Sequence, residues 1–94
     1  RREWEATDWR WRGVAALLEL LPATSATGLT LTFDEVPAAG AVVAIQWQGE
    51  ALVPRAVRPG SELALPLEIA AAPGLLRVES LAGGRVRPGR VTLR

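Results

Sequence analysis

The chain has 94 residues, 49% of them hydrophobic, and a net charge of +1, which sizes it as one domain with a thin but sufficient core and argues against disorder. It contains neither Cys nor His. That excludes disulfides, the usual zinc, copper, haem and iron–sulfur ligand sets, and nucleophilic catalysis through Cys–His or Ser–His pairs.

The N-terminal stretch admits two readings. Trp4, Trp11, Val14, Leu18 and Leu21 fall at helical spacing before Pro22, which would make residues 1–21 partly helical. Gly13 and three Trp residues lower the propensity for that helix. Read as strands, Trp9 and Trp11 share one parity while Val14, Ala16, Leu18 and Leu20 share the other. The phase flips at Gly13, as at a β-bulge or a kink between two strand segments. Strand is the preferred reading, with residues 1–8 as a lead-in and 9–94 as one sandwich domain.

From Leu29 onward the period is two. Leu29, Leu31 and Phe33 face one side, and Thr30, Thr32 and Asp34 the other, the alternation of a half-buried strand. Pro37-Ala38-Ala39-Gly40 breaks the run. Val43, Ile45 and Trp47 then point inward, with Ala44, Gln46 and Gln48 outward, and Gln48-Gly49-Glu50 turns the chain into a returning strand at Leu52-Val53. After Arg58-Pro59-Gly60, Leu63, Leu65, Leu67 and Ile69 alternate with Glu62, Ala64, Pro66 and Glu68. Pro66 lacks a backbone donor, so this strand is expected at a sheet edge. Leu76 and Val78 head the next strand after Pro73-Gly74. Gly83-Gly84 and Pro88-Gly89 bracket a short excursion before Val91–Leu93 closes the chain. Turn signals every eight to twelve residues, with no helical segment between them, predict an all-β fold, a small antiparallel β-sandwich of jelly-roll or immunoglobulin-like type.

Charge is uneven. Residues 1–50 carry four Arg against seven acids, and residues 51–94 seven Arg against three. The basic tail includes Arg85, Arg87, Arg90 and Arg94, but residues 82–94 contain no aromatic residue, and single-strand nucleic-acid binding relies on aromatic stacking beside positive charge. No nucleic acid is expected as a partner. Carboxylate chemistry is equally unsupported. Asp34 and Glu35 are adjacent and point to opposite strand faces, while Glu62 and Glu68 lie about 20 Å apart at strand rise, too far to flank one glycosidic bond. Ala82-Gly83-Gly84-Arg85 precedes no helix that could help hold phosphate and reads as a hairpin loop. The chain is expected to be no enzyme, with no cofactor and no metal.

Four Trp against one Phe is the unusual feature. Trp9, Trp11 and Trp47 share parity with apolar strand residues and are expected as core anchors, each burying about 150–250 Å². The competing reading puts Trp47 against a sugar ring, with Gln46, Gln48, Glu50 and Arg55 supplying polar contacts. Trp4 lies outside the repeating pattern and is the candidate for contact with a partner or neighbouring domain.

The stretch Arg10-Trp11-Arg12-Gly13, followed by alternating Ala16, Leu18 and Leu20 and by Leu21-Pro22, resembles the opening of β-sandwich domains appended to bacterial membrane-bound glycosyltransferases and related polytopic sugar-transfer proteins. Residues 43–52 are similar to the middle strand and Gly turn of those domains, Arg58-Pro59-Gly60 with Leu63–Leu67 to the Pro-Gly step and alternating Leu strand, and Leu75–Ser80 to the strand that follows. Gln48 stands where those domains usually carry Asn, and Gly83-Gly84-Arg85 where they carry an acidic segment. The resemblance spans residues 9–80. It implies an extracytoplasmic accessory module, periplasmic or at the cell surface, without catalytic residues, that positions a sugar-transfer membrane protein or contacts glycan.

The alternative is a structural or interaction subunit of a membrane complex or virion with no ligand of its own. In either case the expected partner is a neighbouring domain or subunit, and any membrane association comes through a parent protein. The chain starts at Arg1 without Met, without a signal-like apolar segment, and without an apolar run of the roughly 20 residues that span a bilayer. It is expected to be a processed product or part of something longer.

Overall fold

The computed structural model describes residues 4–94, with side chains from Ala6 onward. All regular structure is β. The strands are β1 (Trp4–Ala6), β2 (Arg10–Arg12), β3 (Ala15–Leu20), β4 (Ala26–Glu35), β5 (Ala41–Trp47), β6 (Glu50–Ala51), β7 (Arg55–Val57), β8 (Glu62–Ile69), β9 (Gly74–Ala82) and β10 (Arg87–Leu93). They form two antiparallel sheets, ordered β1-β10-β4-β8 and β2-β3-β9-β5-β6, with β7 also paired to β5. The chain changes sheet at most connections, so residues distant in sequence meet in one interior. This is a small β-sandwich.

The core follows the period-two pattern. Leu29, Leu31 and Phe33 of β4 meet Val43, Ile45 and Trp47 of β5 together with Leu18, Leu20, Leu76, Val78, Val91 and Leu93, all buried in one cluster. β8 lies at the edge of its sheet, with Pro66 set opposite Gly28. The missing donor of Pro66 therefore matters least there, as the sequence implied.

The N-terminal third is strand rather than helix. Gly13 is neither bulge nor kink: Arg12 pairs with Ala15, so Gly13 and Val14 form a two-residue hairpin turn. Only Gly13 of the two has positive φ, at 62°, the pattern of a type II′ turn, whose backbone matches the right-handed strand twist. Val14 consequently sits in the turn, 71% exposed, instead of facing inward with Ala16 and Leu18. Trp4–Ala6, read from the sequence as lead-in, pairs with β10 and belongs to the sandwich. Pro88-Gly89 lies inside β10 rather than forming a turn before a final strand. There, Gly89 and Arg90 oppose the single residue Thr32, because Pro88 pairs with Phe33 and Val91 with Leu31. Two residues against one is a β-bulge. Thr32 Oγ1 caps it by accepting the Arg90 N–H at 2.9 Å.

The return strand after Gly49 is split. β6 and β7 both pair with β5 along one edge, and Leu52-Val53-Pro54 interrupts them because Pro54 has no N–H to add to a ladder. Both ends of the described chain lie at one pole: Trp4 pairs with Leu93, and the Arg94 N–H bonds the Gly28 carbonyl at 3.1 Å.

Candidate functional site

The residues singled out around Trp47 do not assemble into an open site. Trp47 is 9% exposed and faces the core. Its indole occupies the space over Gly74, where a Cβ would stand 2.6 Å from Cζ2 and nearer still to Cη2. Gln46 lies half-buried on the opposite, outer face, paired across the sheet with Arg77. Gln48 takes a left-handed conformation at φ 54°, and Gly49 follows at 79°. Positive φ at both centres marks a type I′ hairpin turn. The Gln48 side chain is then used by the fold: Oε1 accepts the Leu75 N–H at 2.7 Å, while the Gln48 N–H donates to the Leu75 carbonyl at 2.9 Å. Arg55 pairs with Val43, four residues from Trp47 along β5, roughly 13 Å at strand rise. The side chain of Trp4 lies outside the described residues. A sugar ring approaching this region would meet no free face of the Trp47 indole, and the Gln48 side-chain oxygen is already taken by the Leu75 N–H.

The other two Trp residues diverge as well. Trp9 is half-buried against the core, and its Nε1–H donates to the Gly89 carbonyl at 2.6 Å. The β10 bulge aims that carbonyl at the indole. Trp9 thereby ties the strand of one sheet that follows it to the last strand of the other. Trp11, expected in the core, is 42% exposed. Parity does aim it inward, in one row with Ala16, Val78 and Ile45. But β2 is an edge strand, and an inward side chain at a sandwich edge is covered only from one side.

Arg85 supplies part of the missing cover. Its guanidinium lies over the Trp11 ring, 5.0 Å from the centroid, within the range of a cation–π contact. Around this pair runs a groove of about 370 Å³, walled by Trp11, Val14, Val78, Leu81 and Val86. A second depression that shares Trp11 and Arg85 with the groove is bordered by Glu35, Val36, Pro37 and Arg87. Trp11, Val14 and Leu81 are three of the six large hydrophobic side chains exposed among the described residues, and the groove gathers all three. Its polar equipment is sparse. The Ser80 hydroxyl is committed to the Gly84 carbonyl, and Arg87 stands 3.7 Å from Glu35. Arg85 has no carboxylate partner among the described residues.

The groove lies at the pole opposite Trp4 and Arg94. Arg87 opens β10 beside the groove and Leu93 closes it beside Trp4, a separation of about 20 Å at strand rise. Nothing in the sequence periodicity singled out this place. Arg85 is one of four tail arginines, and its meeting with Trp11 depends on the β9–β10 loop folding back over β2. Among the described residues no three Asp or Glu side chains converge as a metal site would require.

The fold and groove define a small antiparallel β-sandwich with an apolar, arginine-capped surface cleft. No protein-family model, curated protein or solved structure matches the chain.

Proposed function

We propose that this chain is a non-catalytic recognition module that works by contact through the Trp11–Arg85 groove. The observation that carries the reading is the exposed indole with a guanidinium stacked on it that has no carboxylate partner among the described residues, set among Val14, Leu81 and Val86. Burying apolar surface releases roughly 25 cal/mol per Å², so leaving a Trp and two aliphatic side chains together in water forgoes stability that a partner would restore. Clefts of about 300–1,000 Å³ with few, convergent polar groups are the usual form of a binding site. The groove lies at the pole away from Trp4 and Arg94.

The accessory role beside a membrane sugar-transfer protein, outside the cytoplasm, rests on the resemblance of residues 9–80 alone. If glycan is the ligand, Trp11 is the exposed aromatic side chain among the described residues, because Trp47 is buried and Trp9 is half-buried. Probing the full chain on a glycan array and a peptide array tests the reading. Ligands are expected whose retention falls in Trp11→Ala and Arg85→Ala and persists in Val53→Ser, a control at an exposed apolar residue elsewhere. Retention unaffected by the groove variants would overturn the site. No retention on either array would favour a subunit that only packs against neighbours.

A further inference from the structure

We infer that β2 is a docking edge for an extended acidic peptide, which adds as a strand beside Arg10–Arg12 and packs one apolar side chain against the Trp11 ring that walls the groove. The inference rests on the reading of that groove as a contact surface, and it names the ligand's chemistry.

The sheet edges are unequal. β8 carries Pro66, and the β6–β7 edge is broken at Pro54, two devices that blunt an edge against further pairing. On β1 the side chains before Ala6 are outside the described residues. β2 carries no proline, and no described strand pairs with its outer side.

The hairpin dictates which backbone groups β2 offers. Arg12 and Ala15 flank the two-residue turn and exchange the hydrogen bonds that close it. Pairs alternate along an antiparallel ladder, so Trp11 and Ala16 form the pair that exchanges none. The Trp11 N–H and C=O therefore point away from β3. An incoming antiparallel strand can satisfy both with one residue. That residue's side chain lies on the same face as the Trp11 indole, beside the ring that walls the groove, while its two neighbours share the outer face with Arg10 and Arg12.

Charge selects the occupant. Arg10 and Arg12 are exposed, and neither has a carboxylate partner among the described residues. A second copy pairing through β2 about Trp11 would set Arg10 against Arg12 twice, and like charges directly opposite are destabilising. A strand with acidic residues on either side of an apolar one meets all three demands: two arginines on one face, a cleft on the other, and two free backbone groups between them. The groove's scarcity of polar groups fits an aliphatic side chain better than a neutral pyranose, whose ring of hydroxyls needs many partners.

The test uses the full chain, isotopically labelled, and a capped heptapeptide alternating glutamate and leucine. Titration should shift the backbone amide and indole resonances of Trp11, with affinity falling as salt rises. N-methylation of the central leucine should weaken binding roughly tenfold, since it deletes a main-chain hydrogen bond at a partly buried site. The double variant Arg10→Glu, Arg12→Glu should lose the acidic peptide by a similar factor and gain the alternating lysine–leucine analogue. Equal binding of the N-methylated peptide would overturn strand addition. Absence of any shift at Trp11 would overturn the acidic-peptide ligand. If arrays still yielded a different ligand sensitive to Trp11→Ala, the recognition module would stand and only its ligand class would fall.

Discussion

Replacing Gly74 with alanine tests whether the seat of Trp47 is as tight as its geometry states. Gly74 begins β9 opposite Leu20, and its φ is not among the positive ones, so the backbone tolerates alanine. In an open strand that change would stabilise by about 0.4–1 kcal/mol through the unfolded chain. Here the new Cβ would stand 2.6 Å from Cζ2 of Trp47 and closer to Cη2, inside any real carbon–carbon contact. The indole is 9% exposed and walled by the core, so it cannot swing away without displacing neighbours. Overpacking of this kind costs about 1–3 kcal/mol. At a urea m-value of about 1–1.5 kcal/mol/M for a chain this size, the unfolding midpoint should drop by roughly 1–2 M. The decisive comparison is the same substitution in a Trp47→Leu background, where the steric penalty vanishes and Gly74→Ala should be neutral or mildly stabilising. The coupling across the cycle should be about 2 kcal/mol. Equal effects in both backgrounds would refute the packing of Trp47 over Gly74.

Two further substitutions probe the framework. Ile45→Asp should unfold the domain in a circular-dichroism melt, since Ile45 is 1% exposed and an unpaired buried carboxylate costs several kcal/mol against a total of ~5–10. Gln46→Asp, on the outer face beside Arg77, should shift the melt little. Trp9→Phe keeps an aromatic ring but removes the donor to the Gly89 carbonyl. It should cost about 0.5–1.5 kcal/mol in urea unfolding and speed amide exchange around the β10 bulge.

The alternations of Leu29–Phe33, Val43–Trp47 and Leu63–Ile69 made β4, β5 and β8, their inward faces and the edge position of β8 legible in the sequence, whereas the returning strand expected at Leu52-Val53 falls in the gap between β6 and β7. Side-chain parity is local, and Pro66 states its own constraint wherever it sits. The turn at Gln48-Gly49 was legible for the same reason. Two neighbouring features were not. Gly13 signals a change of phase, but a bulge and a two-residue hairpin use the same residue, and only the pairing of Arg12 with Ala15 distinguishes them. Pro88-Gly89 reads as a turn until Thr32 of β4 stands opposite and absorbs the extra residue.

Trp11 and Trp47 mark the boundary between the two kinds of information. Both have inward parity, and strand periodicity treats them alike. What separates them is the order of strands within the sheets: β5 lies within the sandwich, under the cover of the opposite sheet, whereas β2 lies at an edge and its inner face stays open to water. Local pattern therefore determined which side each side chain takes. Burial, and with it the groove that Arg85 caps, was decided by neighbours tens of residues away, because accessible surface belongs to the assembled sheets and not to any single strand.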